Sequence, residues 1–261
     1  MKIYKKAWLL SYAFFAWLVA NSAYADVVCQ LDKKQLQQLE VAEVSRVVDG
    51  DTFVLKAGER VRLIGIDTPE IDSVLAAEAS EALAKLIAKQ RIYIQQDEEP
   101  RDRHQRLLAH VFLADGQNVV AYLLRQGLGF LVAIPPNVAW LACHQAMAQE
   151  AAFAERGVWL HYPAKSTTAM TVADTGFQHR QGKLLSLELR NNIWWLQFEG
   201  PLVARITPPH QAYFNWQELK AMVGKNVRLT GWVVDRSQQR QMKKYSPLML
   251  LLTHPAHIEV L

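Results

Sequence analysis

The chain has 261 residues, 51% of them hydrophobic and 21% charged. That balance excludes an intrinsically disordered chain, and 12 glycines and 10 prolines exclude collagen-like or low-complexity sequence. Lysine and arginine number 29 against 25 acidic residues, a formal charge of +4, so an acidic partner is a first expectation whose worth depends on where the charge lies.

The N-terminus accounts for much of the excess. Lys2, Lys5 and Lys6 precede an uncharged run from Ala7 to Ala20, then Ala23-Tyr24-Ala25. The run is shorter than the roughly 20 residues of a membrane-spanning helix. Basic, apolar and small-x-small segments in this order read as a signal peptide over residues 1–25, with an uncleaved anchor as the alternative. The expectation is export to the periplasm or beyond, with no membrane insertion after cleavage. Residues 26–163 then hold 14 basic and 19 acidic side chains, and residues 164–261 hold 12 and 6. The surplus of positive charge therefore sits in the C-terminal part. Cys29 and Cys143 are the two cysteines and can pair in one way. An oxidising compartment favours that bridge over two free thiols.

In chain order, Ser45–Val48 and Thr52–Leu55 read as strands around Asp49-Gly50, and Arg60–Ile66 as a third that Pro69 stops. Leu75, Ala79, Leu83, Leu86 and Ile87 share one helical face, with Glu81 and Lys85 paired on the other. Strands follow at 91–95 and 107–113, a helix at 118–126 closed by Gly127, and an Ala-rich helix at 138–156. Residues 164–176 are small, polar and aperiodic, and read as a linker between a domain at 26–163 and a second at 177–261. Beyond it come strands at 184–189, 193–198 and 202–206, a helix at 215–223, and strands at 227–234, 248–253 and 258–261. Three strands, a helix and two or three strands is the order of an OB barrel.

The chemistry-bearing residues gather at strand ends. Asp49-Gly-Asp51 lies at a turn, Asp67-Thr-Pro-Glu70 where a strand stops, Arg62 on the strand before it, and Arg106 at the start of another. Carboxylates are hard ligands suited to calcium or magnesium, arginine forks hold phosphate, and a further carboxylate can activate water. Together these are the parts of a phosphodiester hydrolase. Each piece singly is as well explained by turn formation.

Four ordered strings narrow the reading: Val47-Val-Asp-Gly-Asp-Thr-Phe53, Arg62-Leu-Ile-Gly-Ile-Asp-Thr-Pro-Glu70, Asp102-Arg-His-Gln-Arg-Leu-Leu-Ala109 and Leu124-Arg-Gln-Gly-Leu128. Over roughly residues 41–160 the chain resembles the staphylococcal (micrococcal) nuclease, or thermonuclease, family. The resemblance implies a five-stranded OB barrel with three helices, and calcium-dependent endonuclease action on DNA and RNA leaving 3′-phosphate and 5′-hydroxyl ends. It implies one Ca2+ held by the carboxylates of Asp51 and Asp67 and the backbone carbonyl of Thr68. Glu70 matches the carboxylate that positions or deprotonates the attacking water, and Arg62 and Arg106 the pair that neutralises the phosphorane. Two departures stand out. The family's Tyr-Gly before the second arginine is His104-Gln105 here, and its two nucleotide-packing tyrosines fall at Ala133 and Pro135.

The C-terminal part resembles an OB-like domain appended to some exported bacterial nucleases of this family. Trp194, Trp195, Phe198, Phe214, Trp216 and Trp232 either fill that barrel or stack on bases. Trp194 and Trp195 are adjacent on a strand, so at least one is expected to face outward and contact substrate. The expected fold class is β-rich α+β: a nuclease-type OB barrel with helices, then a smaller OB-like barrel. A monomer acting on DNA or RNA is expected. The alternative is a non-catalytic module of two OB-like domains that binds nucleic acid or protein.

Overall fold

The computed structural model describes residues 29–238 and 246–261. The leader read from residues 1–25 lies outside them. After a short helix α1 (Lys33–Leu36), the first half contains strands β1 (Glu40–Val47), β2 (Thr52–Leu55), β3 (Arg60–Leu63), β4 (Ile66–Asp67), β5 (Arg91–Arg101), β6 (Leu107–Phe112) and β7 (Phe130–Leu131). Helices α2 (Ala76–Ile87), α3 (Val119–Arg125), α4 (Leu141–Phe153) and α5 (Val158–His161) accompany them. Strands β1, β2, β3, β6 and β5 close into a barrel. The β3–β6 pair is parallel, and the other pairs around the ring are antiparallel.

Alternation explains the barrel. Val61 and Leu63 point inward from β3, and Arg60 and Arg62 point outward. Phe53, Ile92, Leu107 and Val111 meet them inside. Helix α2 lays Ala79, Leu83 and Ile87 on this core, and Lys85 pairs with Glu81 on the solvent side. Asn118 caps α3 by accepting from the Ala121 amide at 2.9 Å. The Ala-rich helix is shorter than the expected 138–156, because Val138 to Trp140 form a turn and Trp140 packs edge-on against Phe112.

Cys29 and Cys143 are joined, with Cα atoms 5.4 Å apart. The bridge ties the segment before α1 to α4, beside a small core of Leu31, Leu36 and Phe112.

The second half contains β8 (Lys165–Ser166), β9 (Gly176–Arg190), β10 (Ile193–Phe198), β11 (Leu202–Ile206), α6 (Pro208–Gln211), α7 (Trp216–Met222), β12 (Asn226–Asp235), β13 (Leu248–Leu251) and β14 (Ile258–Val260). Strands β9, β10, β11, β13 and β12 form a ring closed by the β12–β9 pair, and β11–β13 is its parallel pair. This is the connectivity of the first barrel repeated, with a separate core that includes Leu184, Leu196, Phe198, Leu202, Leu229 and Leu250.

The stretch 164–176, expected as a linker, is not a free connector. Residues Lys165 and Ser166 pair with β9, Met170 joins the second core, and Thr167 is fully buried. Thr167 fits because Gly182 and Gly200 face it without side chains. A Cβ on Gly182 would come within 2.0 Å of Thr167 Oγ1, and one on Gly200 within 2.5 Å of its carbonyl oxygen.

The two barrels touch. Phe130 of β7 lies 5.5 Å from Phe177 and 5.2 Å from His179, both on β9. His257 Nε2 accepts from the Ala133 amide at 3.0 Å, and Thr253 Oγ1 donates to the Ala133 carbonyl at 2.8 Å. Burial, chiefly, and the neighbouring His254 hold the His257 imidazole down to about 4. The folded state therefore needs this ring neutral while the unfolded chain protonates it near 6.5, so stability is intact above that value and is lost as the pH falls toward 4. Lowering the pH from 7 to 4 is expected to remove about 3 kcal/mol through this residue. Urea unfolding of wild type and His257→Gln at both pH values checks it. The variant should start less stable and lose correspondingly less, and an identical pH dependence would count against the assignment.

Candidate active site

The site forms where the β1–β2 loop meets the end of β4. The loop carries Asp51, and its approach is made possible by Gly50. A Cβ there would lie 2.7 Å from both Thr68 Oγ1 and Ala79 Cβ, so glycine is needed for closeness rather than for an unusual backbone angle. The Asp51 amide donates to Asp49 Oδ1 at 3.1 Å, which fixes the turn.

The Asp51 carboxylate is 6% exposed as a residue and fully engaged. Oδ1 accepts from Thr52 Oγ1 at 3.0 Å. Oδ2 accepts from the amide and the hydroxyl of Thr68, at 3.1 and 3.0 Å. Arg62 reaches across from β3 and joins the pieces. Its Nη1 donates to the carbonyls of Leu63 and Ile66, and its Nη2 lies 3.1 Å from Asp51 Oδ2 and 3.0 Å from Asp67 Oδ1. One guanidinium nitrogen therefore marks the point on which both carboxylates converge.

That single cation does not offset the burial of two carboxylates. Burial raises Asp51 above the ordinary carboxylate range and outweighs Arg62. Asp67 is pushed up to about 7, first by burial and then by Asp51 and Glu70, against the pull of Arg62. Two carboxylates in excess of one guanidinium make an oxygen-rich site suited to a hard divalent cation. The donor set thus fits calcium. Among the described residues no group of three or more His, Cys, Asp or Glu side chains forms a larger metal cluster.

Glu70 is solvent-exposed, near enough to Asp67 to raise its pKa, and its carboxylate makes no hydrogen bond or ion pair among the described residues. The chain turns there because the Ser73 amide donates to the Glu70 carbonyl at 3.0 Å. A free carboxylate beside a charged cluster is available to accept a proton.

Arg106 is not bonded into the cluster. It stands just before β6 on the outer side of the barrel, where Arg62 on the parallel neighbour β3 also points. Asp102 holds it: Arg106 Nε donates to Asp102 Oδ2 at 2.6 Å, and the Arg106 and His104 amides donate to Oδ1 at 2.9 and 2.8 Å. These bonds keep Asp102 below the usual carboxylate range despite its partial burial. Asp102 is thus a positioning residue, one that opens the third sequence string without a role being legible there. Its signal is a carboxylate two and four residues before the amides it caps. At the His104-Gln105 departure, Gln105 adopts φ 61°, so the left-handed backbone that suits glycine is retained with a side chain in place.

One of the positions matched to the nucleotide-packing tyrosines faces another task. Ala133 is 1% exposed and bonded to the second barrel through His257 and Thr253. Trp194, expected with Trp195 as a substrate contact, turns inward. It packs edge-on against Trp216 at 5.0 Å and against the second core, because alternation along β10 places it with Leu196 and Phe198. Trp195 faces out, with the Arg236 guanidinium 5.6 Å above its ring.

Known proteins resemble this chain in sequence. The family model for staphylococcal nuclease homologues matches residues 60–161. A thermonuclease of Staphylococcus intermedius is 36% identical over 125 residues, 44% of this chain and 74% of that protein. A thermonuclease of Staphylococcus hyicus is 28% identical over 126 residues, 45% of this chain and 74% of the relative. An uncharacterized endonuclease of Escherichia coli O157:H7 is 31% identical over 91 residues, 34% and 58% of the two chains. The barrel topology, the ordered motifs and these similarities agree, and the chain belongs to the staphylococcal nuclease family.

Proposed function

We propose that this protein is an exported, calcium-dependent endonuclease that hydrolyses phosphodiester bonds of DNA or RNA to 3′-phosphate and 5′-hydroxyl ends. The observation that carries the reading is the convergence of Asp51 and Asp67 on one point, with Glu70 unpaired beside them. Asp51, Asp67 and the Thr68 carbonyl would hold the calcium ion, which would supply positive charge to stabilise the reacting phosphate. Glu70 takes a proton from water as its oxygen bonds to phosphorus. The bond from phosphorus to the 5′-oxygen breaks, that oxygen takes a proton from solvent water, and the 3′-oxygen keeps the phosphate. Arg62 and Arg106 offset the charge gathered on the phosphate oxygens, and pre-organised donors of this kind act without reorganisation cost. Asp102 keeps Arg106 aimed.

Export is supported by the N-terminal pattern at 1–25 and by the Cys29–Cys143 bridge. No helix among the described residues is long and apolar enough to cross a membrane.

The test is cleavage of labelled single-stranded DNA and RNA by the mature protein with calcium or with chelator, followed by end-group analysis. Cleavage that chelator abolishes, with phosphate on the 3′ ends, is expected. Intact substrate in calcium would overturn the reading, and a gel shift without cleavage would favour the binding module instead.

A further inference from the structure

We propose that the outer face of β10 and β11 binds single-stranded nucleic acid, with Trp195 as a stacking platform and Arg205 as the phosphate contact, backed by the buried guanidinium of Arg236. The proposal takes its ligand class from the nuclease reading and adds a second site on the other barrel.

Three observations place the site. Alternation turns Trp195 and Gln197 outward on β10, and the β10–β11 register sets Trp195 directly across from Arg205. Arg236, just past the end of β12, brings its guanidinium 5.6 Å over the Trp195 ring. It is held there by Nε donating to the Ser246 carbonyl at 3.0 Å, with Nη1 3.7 Å from Met249 Sδ. An aromatic ring flanked by two guanidiniums on a sheet face is the arrangement that stacks bases and holds the phosphates between them.

Neither Arg205 nor Arg236 forms an ion pair among the described residues, and Arg205 Nε is buried there with no hydrogen-bond partner. Glu188, which pairs across β9 from Trp195, is bonded to Arg190 at 3.1 Å. Arg236 is 8% exposed, and burial together with Arg205 presses its pKa below the ordinary arginine value. Two neighbouring guanidiniums without a carboxylate repel each other, and an arriving phosphate relieves that repulsion. The bland alternative, that the arginines merely hold the barrel, would call for acceptors that only Arg236 has.

Position within the fold points the same way. Strands β10 and β11 are the second and third of their barrel, and the face of strands two and three is where OB folds bind oligonucleotides. The contacts to the first barrel use β9 at Phe177 and His179 and the segment around His257, leaving this face clear of them. The surrounding C-terminal part of the chain, residues 164–261, holds 12 basic and 6 acidic side chains.

The experiment is fluorescence anisotropy of a labelled thymidine 20-mer with the full mature chain in chelator, repeated over a salt series. Trp195→Ala is expected to weaken binding by about tenfold or more, and Trp195→Phe to keep most of it. Arg205→Gln is expected to lower the slope of log affinity against log salt by about 0.7, the share of one phosphate contact on a single strand. Wild-type affinity in Trp195→Ala together with an unchanged slope in Arg205→Gln, or no binding by wild type at low salt, would overturn the proposal. Should Trp195→Ala fail to fold, the Phe variant and the salt slope decide. Cleavage in calcium is scored in parallel. Cleavage with neither a Trp195 effect on affinity nor an Arg205 effect on the slope dismisses the face and leaves the nuclease standing, while both effects without cleavage do the reverse.

Discussion

Arg106→Ala is expected to lower turnover by about 10²–10³-fold, and Glu70→Ala by a similar factor, the scale of losing one pre-organised electrostatic group. The structure adds a sharper form of the test. Asp102 makes three bonds to the 104–106 segment, one of them to the Arg106 guanidinium itself. If Asp102 acts only by aiming Arg106, Asp102→Ala should cost turnover in the wild type and nothing further in Arg106→Ala. Steady-state cleavage of a defined oligonucleotide by the two single variants and the double variant measures that coupling. Additive losses would mean that Asp102 serves folding in its own right. An Arg106→Ala enzyme of wild-type turnover would remove this arginine from the reaction.

Loss of the Cys29–Cys143 bridge is the largest stability change expected. The cysteines are 114 residues apart, and closing so long a loop removes much of the unfolded chain's freedom. In the chain-entropy description that is worth about 4–5 kcal/mol. Weakened packing around the bridge adds to the effect, because the bridge fastens the segment that buries Leu31 and Leu36 against Phe112. Urea unfolding of wild type against the Cys29→Ala, Cys143→Ala double variant measures this at pH 7. Coincident unfolding curves would show that this small core holds the segment unaided.

Most strands were legible because their apolar residues alternate. Ile193–Phe198 and Leu202–Ile206 appear in the structure with the bounds read from sequence. The first half of β9 was not legible. Gln178, His179, Arg180 and Gln181 show no apolar alternation, since this part of the strand uses Phe177 and His179 against the other barrel and pairs Arg180 with Asp174. Thr167 was hidden for another reason. Its burial depends on Gly182 and Gly200, and nothing local in a Ser-Thr-Thr string reveals partners that far along the chain.

The site divides the same way. Asp51, Arg62 and Asp67 were recognisable from their strings, and the parallel β3–β6 pairing brings Arg62 and Arg106 to one side of the barrel. That Arg62 joins both carboxylates through one nitrogen, and that Arg106 depends on Asp102, are facts of side-chain geometry that spacing alone does not contain.

The repeated barrel connectivity has a kinetic consequence. In the first barrel Val61 pairs with Leu107, and in the second Leu202 pairs with Leu248; both parallel contacts span 46 positions. Each barrel must therefore close a loop of the same length before its ring is complete, at the same entropic cost. Contacts so distant in sequence slow folding, and β barrels of this kind assemble in roughly milliseconds to seconds. Neither barrel has a topological head start, so differences in their folding rates will report side-chain packing and the Cys29–Cys143 tether rather than architecture.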